Sequence, residues 1–144
     1  MHKTFGALPV QLAKAVQKGL RVRPLQTPHT GNYPIVTDQF DKSSAWIGIT
    51  LEAGQAGDII PIMPPYGTLV MAKVECEEIN VRTGYWVATE NNGYFSCHTG
   101  AGEVTTGIIV TPILNEQAAG IGSGKVVEAM ILTGRFVFDG FYAP

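Results

Sequence analysis

This chain has little charge. Charged residues make up 15% of its 144 positions, with 10 Lys and Arg against 12 Asp and Glu. Sequence-independent nucleic-acid binding needs clustered basic residues, and a formal net charge of -2 supplies none. Cysteine is scarce as well. Cys76 and Cys97 cannot build a disulfide framework, and they read as two free, half-buried thiols that could sit on neighbouring strands. No apolar run approaches the ~20 residues that span a bilayer. The first residues, Met1 to Gly6, carry no apolar signal core. The expectation is a protein made and assembled in a cytosol, with neither a membrane nor a nucleic-acid partner. Low charge beside 45% hydrophobic residues also implies apolar surface that partners cover.

Recognisable chemistry is missing as well. Residues 119–125 (Ala-Gly-Ile-Gly-Ser-Gly-Lys) imitate a phosphate-binding loop, but Ala119 stands where glycine is needed and Val126 where Ser or Thr is needed. Such a loop must also open a helix, and the stretch beyond Lys125 reads as a strand. Glu128-Ala129-Met130 is similar to a biotin-carrier hairpin, yet Ile131 occupies the place of the modified lysine. Glu75 shares a strand face with Lys73 and Glu77, with Val74 and Cys76 turned inwards, as on a solvated strand. Cys97-His98 is a lone Cys/His doublet without the second chelating pair of a zinc site. No nucleophile motif surrounds Ser96 or Ser123. The sequence therefore predicts no enzyme, no cofactor and no metal.

What is present is a repeat. Gly57-Asp58-Ile59-Ile60-Pro61-Ile62-Met63 is echoed by Gly124-Lys125-Val126-Val127-Glu128-Ala129-Met130, and Gly67 and Gly134 come after them at the same offset. Trp46-Ile47-Gly48-Ile49-Thr50-Leu51 matches Thr106-Gly107-Ile108-Ile109-Val110. Gly19-Leu20-Arg21-Val22 matches Gly84-Tyr85-Trp86-Val87, and Gly31-Asn32-Tyr33 matches Asn92-Gly93-Tyr94. The order is the same in both halves, which points to one small β unit used twice.

Glycine and proline punctuate short runs rich in Val, Ile, Thr, Tyr and Phe, the pattern of short strands joined by turns. Strands are expected at 46–51, 59–63, 68–74, 85–89, 107–111, 125–132 and 135–138, with a hairpin turn at Asn91-Asn92-Gly93. Leu8, Leu12 and Val16 at helical spacing, closed by Gly19, predict a short helix or an irregular arm. The fold class is all-β: a small β-barrel or sandwich built from two related β units, with a short N-terminal arm or helix. The expected division is an arm at 1–18, a β domain at 19–138 made of repeats at about 19–74 and 79–138, and an aromatic tail at 139–144. Leu8, Leu12 and Val16 on the arm, with Phe138, Phe141 and Tyr142 near the tail, are the candidate contacts with a partner or a neighbouring subunit, since aromatic anchors dominate interface energies.

Residues 45–60 (Ala-Trp-Ile-Gly-Ile-Thr-Leu-Glu-Ala-Gly-Gln-Ala-Gly-Asp-Ile-Ile) run from an apolar Gly-Ile-x-Leu strand through an Ala-Gly turn into Gly-Asp and apolar residues. This pattern resembles the head-decoration, or cement, proteins of tailed bacteriophages. Residues 79–93 are similar to the segment that separates the copies in that family. The similarity covers most of 19–138 and leaves the arm and the 136–144 tail outside. It implies a barrel-like domain on the outer surface of the virion, assembled in the host cytoplasm. It further implies a homotrimer bridging neighbouring subunits of the major capsid protein. Two other readings are a phage tail or baseplate module and a small carbohydrate-binding β domain. The last would use Trp46, Tyr66, Tyr85, Trp86 and Tyr94 as a sugar platform, although their alternation with small residues favours packing.

Overall fold

The computed structural model describes residues 6–25, 31–40, 46–65, 67–76, 86–89, 92–97, 104–110 and 125–137. Among these the regular structure is all strand, as the composition implies, with no helix. The strands are β1 (Leu8–Leu12), β2 (Arg21–Pro24), β3 (Ile35–Thr37), β4 (Gly48–Thr50), β5 (Ile59–Met63), β6 (Leu69–Cys76), β7 (Trp86–Thr89), β8 (Phe95–Cys97), β9 (Val104–Ile109) and β10 (Lys125–Val137).

They form two closed barrels. The first runs β1-β3-β2-β4-β5 and returns to β1; the second runs β6-β8-β7-β9-β10 and returns to β6. Each has one parallel pair, β1 with β3 and β6 with β8, in otherwise antiparallel sheets. The same five-strand unit is thus built twice, over residues 8–63 and 69–137. The units do not divide at 19–74 and 79–138. The first begins at β1, because β1 is the strand that pairs with both β3 and β5.

The helix or arm expected over the first 18 residues is replaced by strand β1 and an ordered crossing. Leu8, Val10 and Leu12 satisfy a period of two as well as Leu8, Leu12 and Val16 satisfy a helical one, and pairing with β5 decides between them. Pro9 faces Pro61 across that pair. The Leu12 N–H donates to the Asp58 carbonyl at 2.9 Å, so the alternation of the ladder puts the two prolines at a non-hydrogen-bonded position. Neither missing N–H is needed there. Beyond β1, Val16 and Gly54 exchange two backbone bonds of 3.0 Å. The Thr50 hydroxyl donates to the Gln17 carbonyl at 2.7 Å and accepts from the Leu20 N–H at 3.1 Å.

Pairing also fixes how the repeats correspond. Val22 pairs with Gly48 as Val87 pairs with Gly107, so these matches agree with the sequence comparison. In both places a side chain is forbidden, since a Cβ would lie 2.6 Å from Ile62 Cδ1 or 2.5 Å from Ile131 Cγ2. Elsewhere the sequence match is two residues out. Thr50 pairs with Ile62 as Ile109 pairs with Ile131, which sets Ile62 against Ile131 and takes Gly57 off Gly124. Val36 likewise corresponds to Phe95, not Pro34. A slip of two preserves which residues face inwards, so hydrophobic pattern alone cannot detect it. Gly67 and Gly134 are not equivalent either. Gly67 turns the chain at φ 74°, whereas Gly134 lies inside the unbroken strand β10, where the register with β9 shifts between Thr133 and Phe136. The break expected between 132 and 135 is therefore a bulge, not a turn.

The first barrel is filled by Val10, Leu12, Val16, Leu20, Val22, Val36, Ile60 and Ile62. The second is filled by Val70, Ala72, Val74, Val87, Phe95, Ile109, Val127, Ala129 and Ile131. Its cluster also takes in Ile49 and Met63 from the first barrel, with Trp46 and Leu51 packed against it. The backbone completes this joint. In the first barrel the Gln11 N–H donates to the Pro34 carbonyl at 2.9 Å between β1 and β3. In the second, the equivalent groups turn to the other barrel: the Lys73 N–H donates to the Gly19 carbonyl and the Arg21 N–H to the Gly93 carbonyl, both at 2.9 Å. Residues 19–21 are thus seated between β6 and β8.

Candidate interaction surfaces

The joint holds the most unusual buried group. Arg21 is 2% exposed, and its guanidinium carbon stands 4.2 Å from the centre of the Phe40 ring and 5.8 Å from that of Phe95. Trp46 meets Phe95 edge to face, with ring centres 5.8 Å apart at 85°. A guanidinium between aromatic faces is a favourable way to bury that cation. Trp46 is therefore committed to packing, and Tyr94 is partly buried against the first core. Both remain part-exposed. Tyr66 and Tyr85, and the side chain of Trp86, lie outside what is described.

The expected contact residues separate. Leu12 and Val16 are 2% and 4% exposed inside the first barrel, so they cannot serve a partner. Leu8, at the start of β1, is 49% exposed and remains available. Phe138, Phe141 and Tyr142 lie outside the described residues. The surface side chains that sequence reasoning missed are Ile59, Leu69, Met71 and Val126, exposed by 51%, 57%, 38% and 40%. Strand alternation could have found Leu69 and Met71, which face opposite to the buried Val70 and Ala72.

Leu69 pairs with Leu132 and Met71 with Met130, and Leu132 pairs with Ile108 on the other side. Directly paired residues share a face, so these side chains form one outward apolar strip across β6, β10 and β9. Lys73 and Glu128 bound it with an ion pair of 2.9 Å. The hydrogen bond and charge of Lys73 hold the Glu128 carboxyl below its ordinary range, with a smaller contribution from Lys18. A carboxyl whose folded pKa lies below its unfolded one stabilises the fold above the unfolded value, and loses that contribution as pH falls through the folded value. The Glu128 side chain is 52% exposed, so the effect is small. Glu128→Gln is expected to cost under about 1 kcal/mol at pH 7 and to flatten the stability profile below the usual carboxylate pKa. Urea titrations between pH 3 and 7 measure it, and an unchanged acid limb would refute it.

Cys76 lies on β6 and Cys97 on the neighbouring β8. Glu75 is the described member of its carboxylate group; Glu77, Glu78, His98, His2 and His29 fall outside. Among the described residues no group of three or more His, Cys, Asp or Glu is placed to hold a metal ion. Lys125 and Val126 begin a strand, so no helix N-terminus comes after the glycine-rich segment.

No family model matches the chain, and none of the curated proteins does. Among solved structures, it is similar to the N base of the head fiber gp8.5 of bacteriophage phi29. The likeness covers 87% of this chain and 92% of that one, at 11% identity and a TM-score of 0.49. A likeness at that level says nothing about the partners of this chain.

Proposed function

We propose that this chain is a structural virion protein that binds the outer surface of a tailed-phage head. There it cements neighbouring major capsid subunits, acting as a homotrimer. The reading stands on the chain's own residues. The decoration-like stretch 45–60 supplies β4, the turn after it and the start of β5, and its Trp46, Ile49 and Leu51 pack into the cluster of the second barrel.

The observation that carries the proposal is the construction of the body. Two apolar-filled barrels are joined through Ile49 and Met63 and stapled through the backbone, while large apolar residues stand outside at Leu8, Ile59, Leu69, Met71 and Val126. Exposed apolar patches mark surfaces that meet partners. A cement needs a rigid body with an adhesive outside, not a concave pocket with converging polar groups. Several such bodies linked on one lattice gain strength by effective concentration without strong single contacts.

Incubation with empty, expanded heads tests it. The protein is expected to co-sediment to saturation and to raise the temperature at which heads disassemble. A cryo-microscopy map is expected to show it at positions bridging capsid subunits. Absence from the pellet at saturating protein would overturn the reading.

A further inference from the structure

The joint between the barrels uses a face that the second repeat also has and leaves part-exposed. Ile49 and Met63 pair with each other and point away from the first barrel, since their neighbours Thr50 and Ile62 point into it. Both are buried, at 0% and 9%, in the cluster of the second barrel. Their equivalents are Ile108 and Leu132, which also pair with each other and flank the inward Ile109 and Ile131. Among the described residues neither belongs to a buried core cluster. Both are part-exposed, and Leu69, the other partner of Leu132, is 57% exposed.

The receiving side shows the matching asymmetry. Val70 belongs to the cluster that receives Ile49 and Met63 and is 4% exposed. Leu8 holds the same place in the first barrel, because it pairs with Ile62 as Val70 pairs with Ile131, and it is 49% exposed. Each barrel therefore carries one half of the joint in less buried form: the receiving position on the first, the outer face on the second.

We propose that the chain associates head to tail with a second copy. The outer face at Leu69, Ile108 and Leu132 of one copy sits beside Leu8 of the next. The occupant is argued from the molecule's own joint, in which the equivalent outer face already has a second barrel as its partner. In the first barrel the Gln11–Pro34 hydrogen bond closes the slot that residues 19–21 fill in the second. The contact between copies is accordingly made by side chains, without backbone insertion. Such an interface joins unlike faces, so its repetition closes into a ring or runs on as a filament. The inference rests on the self-association in the proposed function and is independent of capsid binding.

Light scattering on the purified full chain tests it with two surface variants, Leu69→Glu on one face and Leu8→Glu on the other. Circular dichroism and thermal melting first establish that each is folded like the wild type, and Ile108→Lys replaces Leu69→Glu if that variant is not. The wild type is expected to exceed one chain in mass, and each variant alone to be a single chain. An equimolar mixture of the two is expected to form a dimer and nothing larger, because each variant keeps one intact face. A single-chain wild type throughout its soluble range would overturn the proposal. So would association that survives either variant, or a mixture that stays single-chain, as it would if one face paired with itself. Variants that lose self-association but still sediment with heads would separate this interface from the capsid reading.

Discussion

A protein lacking residues 1–18 is expected to lose the first barrel altogether. The truncation removes β1, the strand that joins β3 to β5 and closes the barrel. It also removes Val10, Leu12 and Val16, three of the eight buried residues of that core. Burying an aliphatic side chain contributes roughly 1.5–3 kcal/mol. Three of them approach the ~5–15 kcal/mol that holds a whole domain together. The remaining strands would expose open edges and an apolar interior, so aggregation is the expected companion. Urea unfolding followed by circular dichroism measures the loss, and Leu12→Ala provides a graded version at about 2–5 kcal/mol. A truncated protein with a wild-type unfolding midpoint would refute the assignment of β1 to the core. Any loss of head binding by the truncated protein would therefore report unfolding, not attachment through residues 1–18.

Valine at Gly93 or Gly19 is expected to part the two barrels. Both glycines have left-handed backbone, at φ 81° and 84°, and both lie against the opposite barrel. A Cβ on Gly93 would stand 2.9 Å from the Arg21 carbonyl oxygen; on Gly19 it would stand 3.1 Å from the Lys73 nitrogen. These neighbours are backbone atoms and cannot rotate aside. Left-handed backbone costs a side chain roughly 1–2 kcal/mol, and overpacking adds about 1–3. The sum, on the order of 2–5 kcal/mol, falls on the staple and not on either core. Unfolding is expected to split into two transitions, with new proteolytic cutting between the barrels. One transition at the wild-type midpoint for both variants would show that the barrels do not depend on this contact.

Much of the fold was legible, for a plain reason. Short runs of β-branched and aromatic residues between glycines and prolines can satisfy few other architectures, and Ile59–Met63 emerges as the strand that the sequence implies. The duplication was legible because each unit keeps small residues where a barrel wall is crowded, as at Gly48 and Gly107. The two-residue slip elsewhere was not legible, since a pattern of period two looks the same from both registers. Strand β1 was hidden because Leu8, Val10, Leu12 and Val16 fit two periods at once. Arg21 reads in sequence as one more surface cation, and only the partner barrel turns it into a buried one. The outer strip was missed because its members lie on adjacent strands whose pairing joins residues far apart in the chain.

By itself, the sequence determined an all-β protein built by using one unit twice, poor in charge and without a recognisable catalytic or metal motif. Those properties reside in composition and local periodicity, which need no knowledge of what lies across the sheet. The tertiary structure alone decided that Leu8–Leu12 is a barrel strand, that Leu12 and Val16 are core while Leu8 is surface, and that one outer face is buried while its repeat stays part-exposed. Each of these depends on long-range pairing, where a single strand chooses its partners and thereby commits every alternate side chain to the inside or the outside.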